Sequence, residues 1–253
     1  MKDRLKILDI WVDPVTREEA IKWVSDILRS GQEPHSIFAS NPEKNFSVPK
    51  DLDLYEVFKQ ADLLLPDGIG IVWAARLLFG VKLDRVPGSE FIEDICRLAA
   101  AAGYKIFVYG ASEEVNRKSV EILQERYPGL VVAGRANGYI SAEDTPDLIR
   151  RINDSRAEIL FLALGSPKQE KWYGTYRDSL EHIRVVQGVG GTLDTIAGKV
   201  KRAPEVWRRY SAEWLYRLLT EPKRIRRQKV LPLFLLKVLG VKISRLCGLA
   251  GGE

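Results

Sequence analysis

Between residues 35 and 198, apolar runs of four to seven residues alternate with segments of helical periodicity. That alternation narrows most what this chain can fold into. Runs at 36–40, 61–65, 105–109, 130–133, 158–164 and 183–187 read as strands. Segments near 42–58, 68–79, 89–102, 113–126, 144–155 and 167–178 read as helices, and Thr16 with Glu19 makes a capping box for an earlier one at 17–29. Uninterrupted apolar strands separated by helices predict an α/β fold, with a mostly parallel sheet covered on both faces. At 253 residues the chain suffices for one large domain, or a domain with an appendage. Two cysteines, Cys96 and Cys247, are too few for a disulfide framework and fit a reducing compartment. Met1 to Asp13 mixes charged and apolar residues without a continuous apolar core, so no secretory leader is expected there.

In parallel sheets ligands bind beyond the carboxyl ends of the strands, which directs attention to the loop after each one. Those loops carry Asn41, Glu43 and Lys44; Pro66-Asp67-Gly68; Arg85 to Glu90; Gly110-Ala111-Ser112; Gly134 to Tyr139; Gly165 to Gln169; and Gly188 to Thr192. Glycine clusters let backbone N–H groups approach a ligand closely, as phosphate sites require. In the segment 158–172 the apolar run stops at Gly165; Ser166 then suits an N-cap and Pro167 the first helical residue. That places Lys168 and Gln169 at a helix N-terminus, where an anion is stabilised. A capped surface turn explains the stop, yet does not call for Lys and Gln together. Asp67 is delivered by the buried Leu63-Leu64-Leu65 run. It suits a general base in a partly desolvated site and equally an N-cap for the next helix, and the residues alone leave both open.

Other chemistries have less support. Gly188–Gly191 lacks the full spacing of a dinucleotide fingerprint, so NAD is not expected, nor is any other cofactor. His35 and His182 belong to no ligand motif, and no metal is expected. Asp51-Leu52-Asp53 spells the Asp-x-Asp of metal-dependent transferases. It falls inside the helical stretch 42–58, however, where its carboxylates diverge by about 200° around the axis. No Gly-x-Ser-x-Gly or Cys/His pairing supports nucleophilic catalysis.

The chain changes character near Lys199. Residues 199–229 hold 11 Lys or Arg against three acidic residues, a net of +8, whereas the whole chain is +5 and the remainder is therefore −3. Trp207, Tyr210, Trp214 and Tyr216 interleave with these charges. An apolar stretch follows from Val230 to Ala250, and Lys237, Lys242 and Arg245 interrupt it before it reaches the 18 residues a bilayer span needs. The three cations share an arc of about 140° on a helical wheel. The pattern suits a helix at an anionic membrane surface better than a nucleic-acid arm, since an arm has no need of Leu231 to Leu236. A helix pair packed on the core, or an oligomer interface, is the plainer alternative.

Five motifs in order are Asn41-Pro42-Glu43-Lys44, Ala61-Asp62 through Pro66-Asp67-Gly68, Arg85-Val86-Pro87-Gly88, Gly165-Ser166-Pro167-Lys168-Gln169-Glu170 and Gly188-Val189-Gly190-Gly191. Through them the chain from about Ile7 to Gln228 resembles the WecG/TagA/CpsF glycosyltransferases of bacterial envelope polysaccharide synthesis. The resemblance implies a Rossmann-like catalytic domain at 1–198 and a basic helical appendage at 199–253 that targets the membrane and closes over the site. It implies inverting, metal-independent transfer of an N-acetylmannosamine-like sugar from a UDP-sugar to a polyprenyl-pyrophosphate-linked N-acetylglucosamine, at the cytoplasmic membrane face. Asp67 would be the base; Asn41, Arg85 and Gln169 would line the pocket. Lys168, Gly110, Tyr139, Gly188, Gly190 and Gly191 would contact substrate, as would Arg217, Arg224 and Arg227 of the appendage. Ala39 stands where many members carry Thr, which removes a hydroxyl from the pocket. Another nucleotide-sugar enzyme or a non-catalytic membrane adaptor is the alternative, and a homo-oligomer is compatible with all of them.

Overall fold

A computed structural model describes residues 3–200, 204, 206, 207, 215, 216 and 230–247. Six parallel strands form the main sheet: β3 (His35–Ser40), β4 (Leu63–Pro66), β5 (Lys105–Gly110), β6 (Val131–Ala136), β7 (Ile159–Ala163) and β8 (Val185–Gly188). Their order across the sheet is β4-β3-β8-β7-β5-β6. All residues of β4 and β7 are buried, as expected of strands covered on both faces. The helices are α1 (Arg17–Ser30), α2 (Lys44–Ser47), α3 (Leu52–Gln60), α4 (Ile69–Phe79), α5 (Gly88–Ala102), α6 (Glu113–Arg126), α7 (Thr145–Asp154), α8 (Lys168–Tyr176), α9 (Thr192–Ile196) and α10 (Val230–Leu246). The sheet separates two apolar cores. Phe38, Phe58, Phe107 and Leu160 lie on one side, and Ile37, Phe91, Ile106 and Phe161 on the other.

Two departures from the sequence reading have plain causes. The segment 42–58 is not one helix. It runs as α2, a 3-10 turn Val48–Lys50 holding Pro49, and α3. Pro49 has no N–H for a helical bond, and the backbone leaves helical geometry at Asp51, at φ −139° and ψ 104°; the helix restarts there, with the Asp51 side chain accepting the Leu54 N–H at 3.2 Å. Asp51 also meets the Lys171 ammonium at 2.6 Å and Asp53 lies 3.7 Å from it, so the two carboxylates do not diverge as one continuous helix would place them; Asp51 is a cap and an ion-pair partner.

The other departure is an N-terminal hairpin, β1 (Leu5–Ile7) with β2 (Ile10–Val12), turned by Leu8 at φ 56°. Past its end, Asp13 exchanges bonds with Leu64: its N–H meets the Leu64 carbonyl at 3.0 Å, and its carboxylate takes the Leu64 N–H at 2.7 Å. Arg4 grips both Asp13 oxygens, at 2.7 and 2.8 Å. The hairpin thereby occupies the edge of β4, which would otherwise present unpaired backbone groups.

Cys96 is fully buried on α5, and burial pushes its thiol up to about 12. Cys247 is exposed. Native protein treated with a maleimide at neutral pH is expected to take one label, at Cys247. Labelling of Cys96 without denaturant would show that α5 opens readily.

Candidate active site

Because the six strands are parallel, their carboxyl ends share one edge. Along it, from β4 to β6, lie Asp67, Asn41, the Gly188–Gly191 loop, the Gly165–Gln169 turn, Gly110 and Tyr139. Every site residue expected within the domain therefore falls on one side of the sheet, apart from Arg85, which is brought there by the loop between α4 and α5.

Asp67 is held on several sides. Its N–H bonds the Ser40 carbonyl at 3.1 Å, which ties the end of β4 to that of β3. Its carbonyl accepts from Arg85 Nε at 3.0 Å. Its carboxylate Oδ1 accepts the Gly88 N–H at 3.1 Å, at the start of α5. The cap of the following helix, α4, is Gly68, with no side-chain bond, so the capping alternative for Asp67 falls away. Asn41 is adjacent: a Cβ added at Gly68 would stand 3.3 Å from Asn41 Cβ and 2.8 Å from Pro42 Cδ. Close approach of the two loops thus explains the glycine. Behind them, a Cβ at Gly70 would meet Pro42 at 2.7 Å and Phe234 of α10 at 3.6 Å, so α10 braces the same loops.

At the turn after β7 the structure corrects the expected helix start. Helix α8 begins at Lys168 with Pro167 at its N-cap and no side-chain cap. Ser166 Oγ instead accepts from the Lys44 ammonium. The Gln169 N–H bonds the Gly165 carbonyl at 3.0 Å, so this first-turn donor is not left for a ligand. Lys168 is exposed, whereas Gln169 is buried. Gln169 Oε1 accepts the Gly190 N–H at 2.9 Å, and a Cβ at Gly188 would lie 2.4 Å from Gln169 Nε2. Gln169 thus joins the β7 loop to the β8 loop, and Gly188 is glycine to admit it.

Gly110 has a similar packing reason. It sits at φ 128°, and a Cβ there would lie 2.4 Å from the Ala163 carbonyl carbon of β7. Gly190 has φ 53° and open space around it, and Gly191 meets only Asp194 Oδ2 at 3.7 Å, so these two leave room beside their backbone. Tyr139 is 81% exposed at the β6 end, a ring available to a ligand or to solvent. Arg217, Arg224 and Arg227 lie outside the described residues.

Lys44 and Glu170 stand within two of the motifs, yet no role of their own is expected from the sequence. Their side chains are 6% and 1% exposed, and the ammonium bonds Glu170 Oε1 as well as Ser166. This buried pair clamps the Asn41 loop to the Gly165–Gln169 turn. Two opposite charges in separate ligand-edge loops were the available signal.

The fold is a Rossmann-like α/β one, and the carboxyl edge of its sheet carries Asp67, Asn41 and Gln169 between glycine loops, with Arg85 bonded to the Asp67 carbonyl. Residues 5–247 match the Glycosyl transferase WecG/TagA/CpsF family. The chain is 33% identical over 242 residues to the N-acetylglucosaminyldiphosphoundecaprenol N-acetyl-beta-D-mannosaminyltransferase of Staphylococcus aureus strain MRSA252, covering 94% of this chain and 93% of that one. The protein of the same description from strain NCTC 8325 / PS 47 matches equally. This chain belongs to the WecG/TagA/CpsF family and is a glycosyltransferase.

Proposed function

We propose that this enzyme moves N-acetylmannosamine from a UDP-sugar to N-acetylglucosamine linked through pyrophosphate to a polyprenol, with inversion and without a metal. The observation that carries the proposal is the Asp67 carboxylate, held by Gly88 N–H on the sheet edge shared with Asn41 and Gln169 and beside Arg85. In the step, an acceptor hydroxyl oxygen bonds the anomeric carbon as the bond from that carbon to the UDP phosphate oxygen breaks. The hydroxyl proton passes to Asp67, and UDP leaves with the bonding electrons. Negative charge grows on the diphosphate; in this reading Arg85 stabilises it, with Arg217, Arg224 and Arg227 as the family resemblance implies. Gln169 and the Gly190–Gly191 backbone shape the donor side.

Incubating the full chain with a panel of UDP-sugars and a short-chain polyprenyl-pyrophosphoryl-N-acetylglucosamine tests this directly. One UDP is expected per disaccharide-lipid formed. Absence of both UDP binding and that product would overturn the proposed donor and acceptor.

The described part of the appendage supports membrane docking, at the cytoplasmic face. Among the described residues no helix is long and apolar enough to cross a bilayer. Helix α10 packs on α4 through the buried Phe234 and Val238, so the plainer reading of a helix packed on the core holds for one face. Two of its three cations turn to the domain. Lys237 Nζ lies 3.7 Å from Asp9 and over Phe46, and Arg245 bonds the Leu78 carbonyl at 3.0 Å. Its other face exposes Leu233, Leu235, Leu236, Leu239, Ile243 and Leu246. Trp73 of α4 adds a ring that is 66% exposed. Exposed apolar residues in such number mark a surface with a partner, and a lipid-linked acceptor supplies one. Trp73→Ala/Leu236→Glu is expected to reduce co-sedimentation with phosphatidylglycerol vesicles by at least about tenfold, with an unchanged melting temperature. Undiminished sedimentation would remove this face from the membrane account. Truncation near residue 198 is expected to abolish turnover of the lipid acceptor, and unchanged turnover would separate the appendage from catalysis.

A further inference from the structure

Gln187 is a polar residue in an apolar place. It lies on the central strand β8, paired with Ile37 of β3 and Phe161 of β7, and is 1% exposed. Its Nε2 donates to the Gly88 carbonyl at 3.0 Å, and its Oε1 has no hydrogen-bond partner among the described residues. Burying an amide with one end unpaired costs stability that an aliphatic side chain would not. Such local conflicts gather where function requires them.

Gly88 is the residue whose N–H meets Asp67 Oδ1. Its N–H and its carbonyl belong to the two peptide planes either side of one Cα at the first residue of α5, and without a Cβ the angle between them is less restrained than in other residues. Pro87, at φ −65°, restrains the chain before Gly88. Gln187 grips the plane after it.

We propose that Gln187 is a positioning residue for catalysis: by holding the Gly88 carbonyl it keeps the Gly88 N–H aimed at the Asp67 carboxylate, and so orients the base. The inference rests on Asp67 being that base. Without the grip, the first residue of α5 turns more freely and the Gly88 N–H is held less firmly against the carboxylate. Substrate binding, carried by other loops, is little changed.

Gln187→Met keeps the length and removes the donor. It is expected to hold or raise the melting temperature, to lower kcat about tenfold, and to leave the donor KM within about twofold. In an Asp67→Asn background the same change is expected to lower kcat no further, because the group it orients is gone. A Cβ at Gly88 would meet only Ala39 Cβ, at 3.8 Å, which is ordinary contact. Gly88→Ala therefore fits and stiffens the turn, and Gly88→Ala/Gln187→Met is expected to recover part of the lost kcat. If Gln187→Met fails to fold, Gln187→Asn retains the amide one methylene short of Gly88 and carries the same expected loss. A stable Gln187 variant with parental kcat, or a loss that adds fully to that of Asp67→Asn, would overturn the inference while leaving the base in place. High activity in Asp67→Asn itself would instead overturn the base assignment.

Discussion

Asp67→Asn is expected to lower the transfer rate by at least about 10²-fold, the loss typical when a general base is removed. Asparagine retains an oxygen at the position that accepts the Gly88 N–H, so that bond survives while the negative charge and the capacity to take a proton are lost. The Asp67 N–H and carbonyl, bonded to Ser40 and Arg85, are untouched by the change. Melting temperature and calorimetric affinity for UDP should therefore stay near those of the parent, which separates a chemical defect from a folding defect. Single-turnover transfer at saturating donor is the measurement. A near-normal rate would move the base to another group on the edge.

The largest expected change in stability follows from the clamp between Lys44 and Glu170. Glu170→Ala leaves an ammonium buried with the Ser166 hydroxyl and the Phe58 ring, whose centroid lies 5.3 Å away, in place of a carboxylate. Removing one partner of a buried pair typically costs about 3–5 kcal/mol, because the other charge is stranded. Lys44→Met/Glu170→Met removes both charges and is expected to recover most of that loss. Chemical denaturation of the three proteins measures it. Single variants within about 1 kcal/mol of the parent would show that water reaches the pair. The double variant also isolates function: if the clamp orders the Asn41 and Gln169 loops, it should be stable and slow.

The six strands of the main sheet were legible because β-branched and aliphatic runs in a two-faced sheet need no tertiary information to be recognised. Each observed strand begins or ends within three residues of its apolar run. The hairpin at 5–12 was not legible, since three-residue strands with exposed Lys6 carry too short a pattern. Its place is set by Asp13 and Arg4 reaching β4 and its approach from distant sequence. The helical period at 42–58 outlasted the actual helix because hydrophobic spacing does not report a proline turn. At the site, Asp67, Asn41 and Gln169 could be nominated because a parallel sheet sends every carboxyl end to one edge, whereas Arg85, between α4 and α5, was nominated only through the family motif. What each neighbour does was hidden. Gly110 is glycine because of Ala163, Gly188 because of Gln169, and Ser166 is withdrawn from capping by Lys44, 122 residues away. Local sequence carries none of those partners. Helix α10 was legible in its apolar content, while the turning of Lys237 and Arg245 inward depended on Asp9, Phe46 and Leu78.

One carboxylate acting only as a proton acceptor permits a single displacement and no covalent glycosyl-enzyme. The anomeric configuration of the first product, read by proton NMR on the disaccharide released from a short-chain acceptor, tests that most directly. An α-linked UDP-sugar should give a β-linked product. A retained α-linkage would require a nucleophile on the enzyme or a front-face path, and would contradict the role given to Asp67.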